Sequence, residues 1–211
     1  MSKSTKTRRT LITGLGAVAT AAALGPRPAG AQPSATPFTP AAHAIDAWMS
    51  AMPGKHRVVL DVVTPDGMPD GIRFAGNLFT HSKAGYGIEE SELALIVVLR
   101  HSATAYGYDD AIWSKHGTLL DSKAATPPVA NPFNSGERMQ LSGLAKRGAQ
   151  FIVCGSASRG LAGRIAGQGG DTDAVVKEMT ANLIPSARIV AAGVVGVTHA
   201  QEHGFSLLYV G

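Results

Sequence analysis

Cys154 is the only cysteine in this chain of 211 residues, and it is the side chain with the most chemistry open to it. It follows Phe151-Ile152-Val153 and precedes Gly155-Ser156, the pattern of a short buried strand turning into a helix. A thiol at a helix N-terminus meets free backbone N–H groups and the positive end of the helix dipole. Both favour the thiolate, which is the nucleophile. The same position equally suits an inert core cysteine, because cysteine is among the most buried residue types. A single cysteine excludes an internal disulfide, and a domain of this size can be stable without one.

A second group, Arg100-His101-Ser102, ends the most apolar stretch of the chain, Leu93 to Leu99. Arg100 is suited to hold an anion, and His101 to act as a base or to orient a thiolate. Ser102, Gly155 and Ser156 are the expected ligand-binding residues beside them. The competing reading is a histidine and serine that cap a strand-to-helix junction. A third group is His199 and His203, spaced i, i+4 so that a helix would present both on one side. Glu202 immediately precedes His203, which is not the His-Glu-x-x-His order of the zinc peptidases. Two histidines fall short of a closed site, and His101 completes one only if the fold carries it there.

Several chemistries are absent as motifs. No Gly-x-Gly-x-x-Gly follows a strand, and no Lys-bearing phosphate loop, Gly-x-Ser-x-Gly elbow or Cys-x-x-Cys-His is present. No cofactor is therefore expected.

The elements that must position these residues alternate. Strands are expected at His56–Val63, Leu93–Leu99, Phe151–Cys154, Arg188–Ala191 and Ser206–Val210, each short and rich in β-branched or apolar residues. Helices are expected at Ile45–Met52, from Gly67 to about Gly85, from Ser102 to about Trp113 and from Ser135 to Arg147. Others are expected through Leu161 and Ile165, from Val175 to Ile184 and from Val194 to His203. The proline-bearing stretch 121–134 reads as a loop. This order predicts a single three-layer α/β domain, a mainly parallel sheet of about five strands with helices on both faces. In such sheets chemistry gathers beyond the carboxyl ends of the strands, where Arg100 and Cys154 stand.

The N-terminus has a different composition. Thr7-Arg8-Arg9-Thr10-Leu11-Ile12 opens a mildly apolar run to about Leu24, and Ala29-Gly30-Ala31 offers small residues for cleavage. This is the pattern of a twin-arginine signal peptide over residues 1–31, cleaved near Ala31, and it predicts a periplasmic protein. The apolar run is near 14 residues, against about 20 for a span, so no stable membrane insertion is expected after cleavage. The formal charge of +4 comes from this leader: residues 1–31 carry five cations and no acid, and what remains has 14 Lys and Arg against 15 Asp and Glu. A mature charge of −1 gives no footprint for nucleic acid. Residues 32–54 read as a Pro/Ala-rich tether and short helix, and 55–211 as the domain.

Three stretches together carry a resemblance. They are Leu95 to Thr104 with Tyr108 to Trp113, Gly148 to Gly155, and Leu183 to Val190 leading into Gly193-Val194-Val195 and Ala200 to Phe205. Over residues 55–211 the chain resembles the DsrE/DsrF-like family, in a branch of exported members. The resemblance implies a compact α/β domain that forms homo-oligomers, trimers or hexamers, and a link to sulfur metabolism. Relatives carry persulfide sulfur on a cysteine and pass it to a donor or acceptor protein. Cys154 matches the Val-Cys-Gly position of the exported branch, whereas the sulfur-carrying cysteine of the relay members stands in a different sequence context; if Cys154 handles sulfur here, His101 and Arg100 are the groups expected to tune it. Three functions stay open at this point. One is handling or sensing of reactive sulfur through Cys154, another is a non-catalytic oligomeric module that binds a small ligand or partner, and the third is metal binding through the histidines.

Overall fold

The structure of the protein, a computed structural model, describes residues 38–134 and 140–211. The expected leader, the first part of the tether and the start of the helix expected over 135–147 lie outside the described residues.

Five strands form one sheet: β1 (His56–Val62), β2 (Leu93–Leu99), β3 (Gln150–Cys154), β4 (Ala187–Val190) and β5 (Ser206–Val210). The order across the sheet is β4-β3-β2-β1-β5, and every neighbouring pair is parallel. The α/β architecture read from the alternation of elements is thus the architecture observed, with all pairs parallel. Seven α-helices are described: α1 (Ala47–Ala51), α2 (Met68–Tyr86), α3 (Asp110–Leu120), α4 (Leu141–Lys146), α5 (Gly155–Ala166), α6 (Thr172–Ala181) and α7 (Gly193–Glu202). None of the described helices is long and apolar enough to cross a membrane.

Alternation along the strands sorts the core into two layers. Leu60, Val62, Leu95, Val97, Leu99, Phe151 and Val153 face one side, against Met68, Ile72 and Phe79 of α2, Trp113 of α3, Leu144 of α4, Leu161 of α5 and Met179 of α6. Val59, Ile96, Val98 and Ile152 face the other, against Met49 of α1, Val197 and Ala200 of α7, and Phe205, with Trp48 and Met52 at the margin. The strand order explains this imbalance. From β1 to β4 the chain steps one way, then returns past β1 to lay down β5. With crossovers of one hand, that reversal puts α7 alone on the second face. The short helix α1 fills what α7 leaves uncovered.

Two helix starts differ from the sequence expectation for the same reason. The helix expected from Ser102 to Trp113 is a 3-10 segment, His101–Gly107, followed by α3. Between them Tyr108 is extended, fully buried and bridged to Leu183. Asp109 does not lie on a helix face. Its carboxylate accepts from the backbone N–H groups of Ala111 and Ile112 at 3.0 and 3.4 Å, so it caps α3. Likewise α6 starts at Thr172, because the Asp171 carboxylate accepts from the Ala174 N–H at 3.0 Å.

Candidate functional site

The site begins with β3. Its last residue, Cys154, has extended backbone (φ −73°, ψ 109°) and is the N-cap of α5. The thiol makes no capping hydrogen bond and retains 8% of its exposure. Odd and even positions alternate between faces, so Cys154 follows Ile152 onto the thinner side of the sheet, under the start of α7. There Gly193 is required by close approach. A Cβ at that position would lie 2.5 Å from the Arg100 Cβ and 3.3 Å from the Cys154 Cβ. The glycine thereby lets the N-terminus of α7 settle onto both residues. Cys154, Arg100, His101, Ser156, Gly193 and Val194 share one cleft of about 220 Å3.

The backbone under Cys154 is held from the opposite face. The Tyr108 hydroxyl donates to Ser158 Oγ at 2.5 Å, and Ser158 Oγ donates to the Cys154 carbonyl at 2.8 Å. Burial pushes the Tyr108 hydroxyl up to about 12, with the hydrogen bond to Ser158 acting in the other direction. On the far side of the turn, the Ser156 N–H donates to the Ala191 carbonyl at 3.0 Å. A Cβ on Gly155 would meet the Val190 carbonyl oxygen at 2.6 Å. The turn after Cys154 is therefore clamped between β4 and the Tyr108–Ser158 pair.

Arg100 stands at the end of β2, and its partner is a residue that sequence reasoning passed over. Its Nε and Nη2 donate to the two carboxylate oxygens of Asp61 at 2.6 and 2.8 Å. Asp61 is the penultimate residue of β1 and is 4% exposed. The bond to Asp61 raises the Arg100 guanidinium above its ordinary value, against the opposing effect of burial. Two donors of Arg100 thus serve an internal ion pair, and the expected anion-holding role falls to the rest of the fork. The signal was present in the sequence: Asp61 interrupts Val58-Val59-Leu60 and Val62-Val63. A carboxylate inside a strand buried on both faces needs a cation.

His101 is exposed and adopts φ 51°, the left-handed region. No hydrogen bond joins it to Cys154 among the described residues. It lines the Cys154 cleft and also a larger groove of about 570 Å3 with Thr64, Ser102, Gly160 and Arg164. Ser102 belongs to that groove. Ser156 lines the Cys154 cleft and, with Gly155, Arg159 and Thr172, a third concavity around α5. The expected ligand-binding residues therefore ring the first two turns of α5 but do not converge on one point.

The histidine pair lies elsewhere. His199 Nδ1 is 2.6 Å from Asp46 Oδ2, and His203 Nδ1 is 2.8 Å from Ser50 Oγ. Both contacts tie α7 to the segment that carries α1. Among the described residues no group of three or more His, Cys, Asp or Glu side chains is arranged to hold a metal ion. His101 lines the cleft at the carboxyl end of the sheet and is not part of either contact.

No family model matches the chain. No curated protein matches it either. Among solved structures, a protein of unknown function from Methanobacterium thermoautotrophicum is similar at 16% identity, over 74% of this chain and 99% of that one, with a TM-score of 0.42. That degree of likeness says nothing of activity.

Proposed function

We propose that this chain is an exported, periplasmic protein of the DsrE/DsrF-like kind that carries or senses sulfane sulfur on Cys154. The observation that carries the reading is the placement of the thiol. Cys154 caps α5 without spending its sulfur on the cap, and it opens into a cleft also lined by Arg100, His101 and the start of α7. The starts of two helices, α5 and α7, therefore flank one thiol at a cleft of about 220 Å3.

The step balances without an external oxidant. The Cys154 thiolate attacks the outer sulfur of a donor persulfide. A new S–S bond forms on Cys154 as the donor's S–S bond breaks, and the electron pair leaves on the donor thiolate. Transfer onward to an acceptor thiol is the reverse step. Homo-oligomerisation fits the same reading. The outer strand β5 leaves Leu207, Leu208 and Tyr209 at 43, 37 and 60% exposure, an apolar edge that monomers seldom leave bare.

The test is mass spectrometry of the folded mature protein after treatment with polysulfide. Sulfur added on Cys154, and lost on incubation with a small thiol, supports the proposal. If no sulfur is added until the protein is unfolded, Cys154 is core packing. The chain is then better read as a non-catalytic binding module, and Cys154→Ser will leave its ligand binding intact.

A further inference from the structure

A second cleft lies on the thinner face, over the edge strand β4, between α7 and the segment leading into α1. Its volume is about 310 Å3, and its lining includes Asp46, Trp48, Arg188, Val195 and His199. That is the size of a small ligand site.

Three features of this cleft bear on a ligand. The first is Arg188. Its guanidinium carbon sits 3.7 Å from the centre of the Trp48 ring, and one Nη donates to Gln150 Oε1 at 2.9 Å. Its Nε is buried without a hydrogen-bond partner, and no carboxylate pairs with it among the described residues. Burial lowers the affinity of Arg188 for its proton, and only the Trp48 ring and the Gln150 amide oxygen offset that cost among the described residues. The second is His199. Its Nδ1 is committed to Asp46, whose side chain is only 8% exposed. A carboxylate on Nδ1 fixes the tautomer and leaves Nε2 as the nitrogen available to a ligand. The third is the wall of Trp48 and Val195, flat and apolar, beside these polar groups.

We propose that the β4 cleft binds a small hydroxy-carboxylate with a flat apolar body. Its carboxylate pairs with Arg188, its hydroxyl donates to His199 Nε2, and its body lies against Trp48 and Val195. This site is separate from the cleft at Cys154 and stands whether or not that thiol handles sulfur. An anion supplies the partner that Arg188 lacks, and planar bidentate recognition of carboxylates is what a guanidinium does best.

The experiment is a titration of the full mature chain with 4-hydroxybenzoate, followed by the indole N–H resonance of Trp48 in two-dimensional NMR. The indole of Trp113, buried on the opposite face, is the internal control. The expected result is a saturable shift of Trp48 with Trp113 unmoved. Affinity should fall tenfold or more for 4-hydroxybenzamide, which lacks the charge, and for the variants Arg188→Gln and His199→Gln. Absence of a saturable shift overturns the proposal. So does equal binding of the neutral amide, a comparison that needs no variant. An unchanged affinity in a folded Arg188→Gln protein overturns it as well.

Discussion

Two arginines on the same face of the sheet meet opposite fates. Arg100 lies at the end of β2, with Asp61 on both of its inner donors and Gly193 against its stem. Arg188 lies on β4, stacked on an indole, with one amide oxygen and no carboxylate. A buried guanidinium with a matched carboxylate is a piece of architecture, and removing either half leaves a stranded charge. A guanidinium without one, as the β4 cleft holds it, is the group on which the proposed ligand site depends.

The contrast can be broken most forcefully at Asp61. Asp61→Asn strands the Arg100 charge and is expected to cost about 3–5 kcal/mol, read as a lower midpoint in urea denaturation. A loss under 1 kcal/mol would mean that the pair is not integral to the fold. Next in size is the effect of alkali on Tyr108. Its hydroxyl is held at about 12 in the folded chain, against about 10 when unfolded. Between those values the unfolded state has lost its proton and the folded state has not, so stability falls as pH rises. The loss should be roughly 2–3 kcal/mol in all and should shrink in Tyr108→Phe. Denaturation curves at a series of alkaline pH values will show it.

Gly193→Ala is expected to cost about 1–3 kcal/mol, because the new methyl meets the Arg100 stem and α7 must lift. The same variant should speed alkylation of Cys154 by opening the cleft, a rate that quenched labelling measures. The smallest effect is expected at Arg188. Arg188→Met exchanges an unpaired charge for an apolar chain of similar reach and should shift the urea midpoint by less than the equivalent of about 1 kcal/mol, in either direction. A loss as large as that of Asp61→Asn would erase the distinction between the two arginines.

The sheet was largely legible from the sequence because its strands are written as short apolar runs, unbroken where, as in β2, both faces are buried. Leu93–Leu99 and Ser206–Val210 carry the expected bounds, and β1, β3 and β4 lie within a residue of theirs. The helix starts at Asp110 and Thr172 were harder. Their limits are set by the side chains of Asp109 and Asp171, and an aspartate reads equally well as the polar face of a helix. The placement of Cys154 at the start of α5 followed from the Gly-Ser turn. Asp61 did not emerge, since its meaning depends on Arg100, 39 residues on. The β4 cleft was beyond reach for the same reason: Trp48, Arg188 and His199 meet only through the tertiary fold. The segment read partly as tether supplies Met49 to the core, a contribution that composition alone conceals.

The parallel pairing of Val58–Val62 with Ser206–Val210 has a consequence for synthesis. On the ribosome, β1 emerges first and finds β2 soon after, but its other flank waits for almost the whole domain to be translated. The seam between β1 and β5 is the strand pairing most distant in sequence, and the last one that a growing chain can close. A nascent domain stalled short of that point leaves β1 as an open edge, the form most exposed to chaperones and to pairing with the wrong chain.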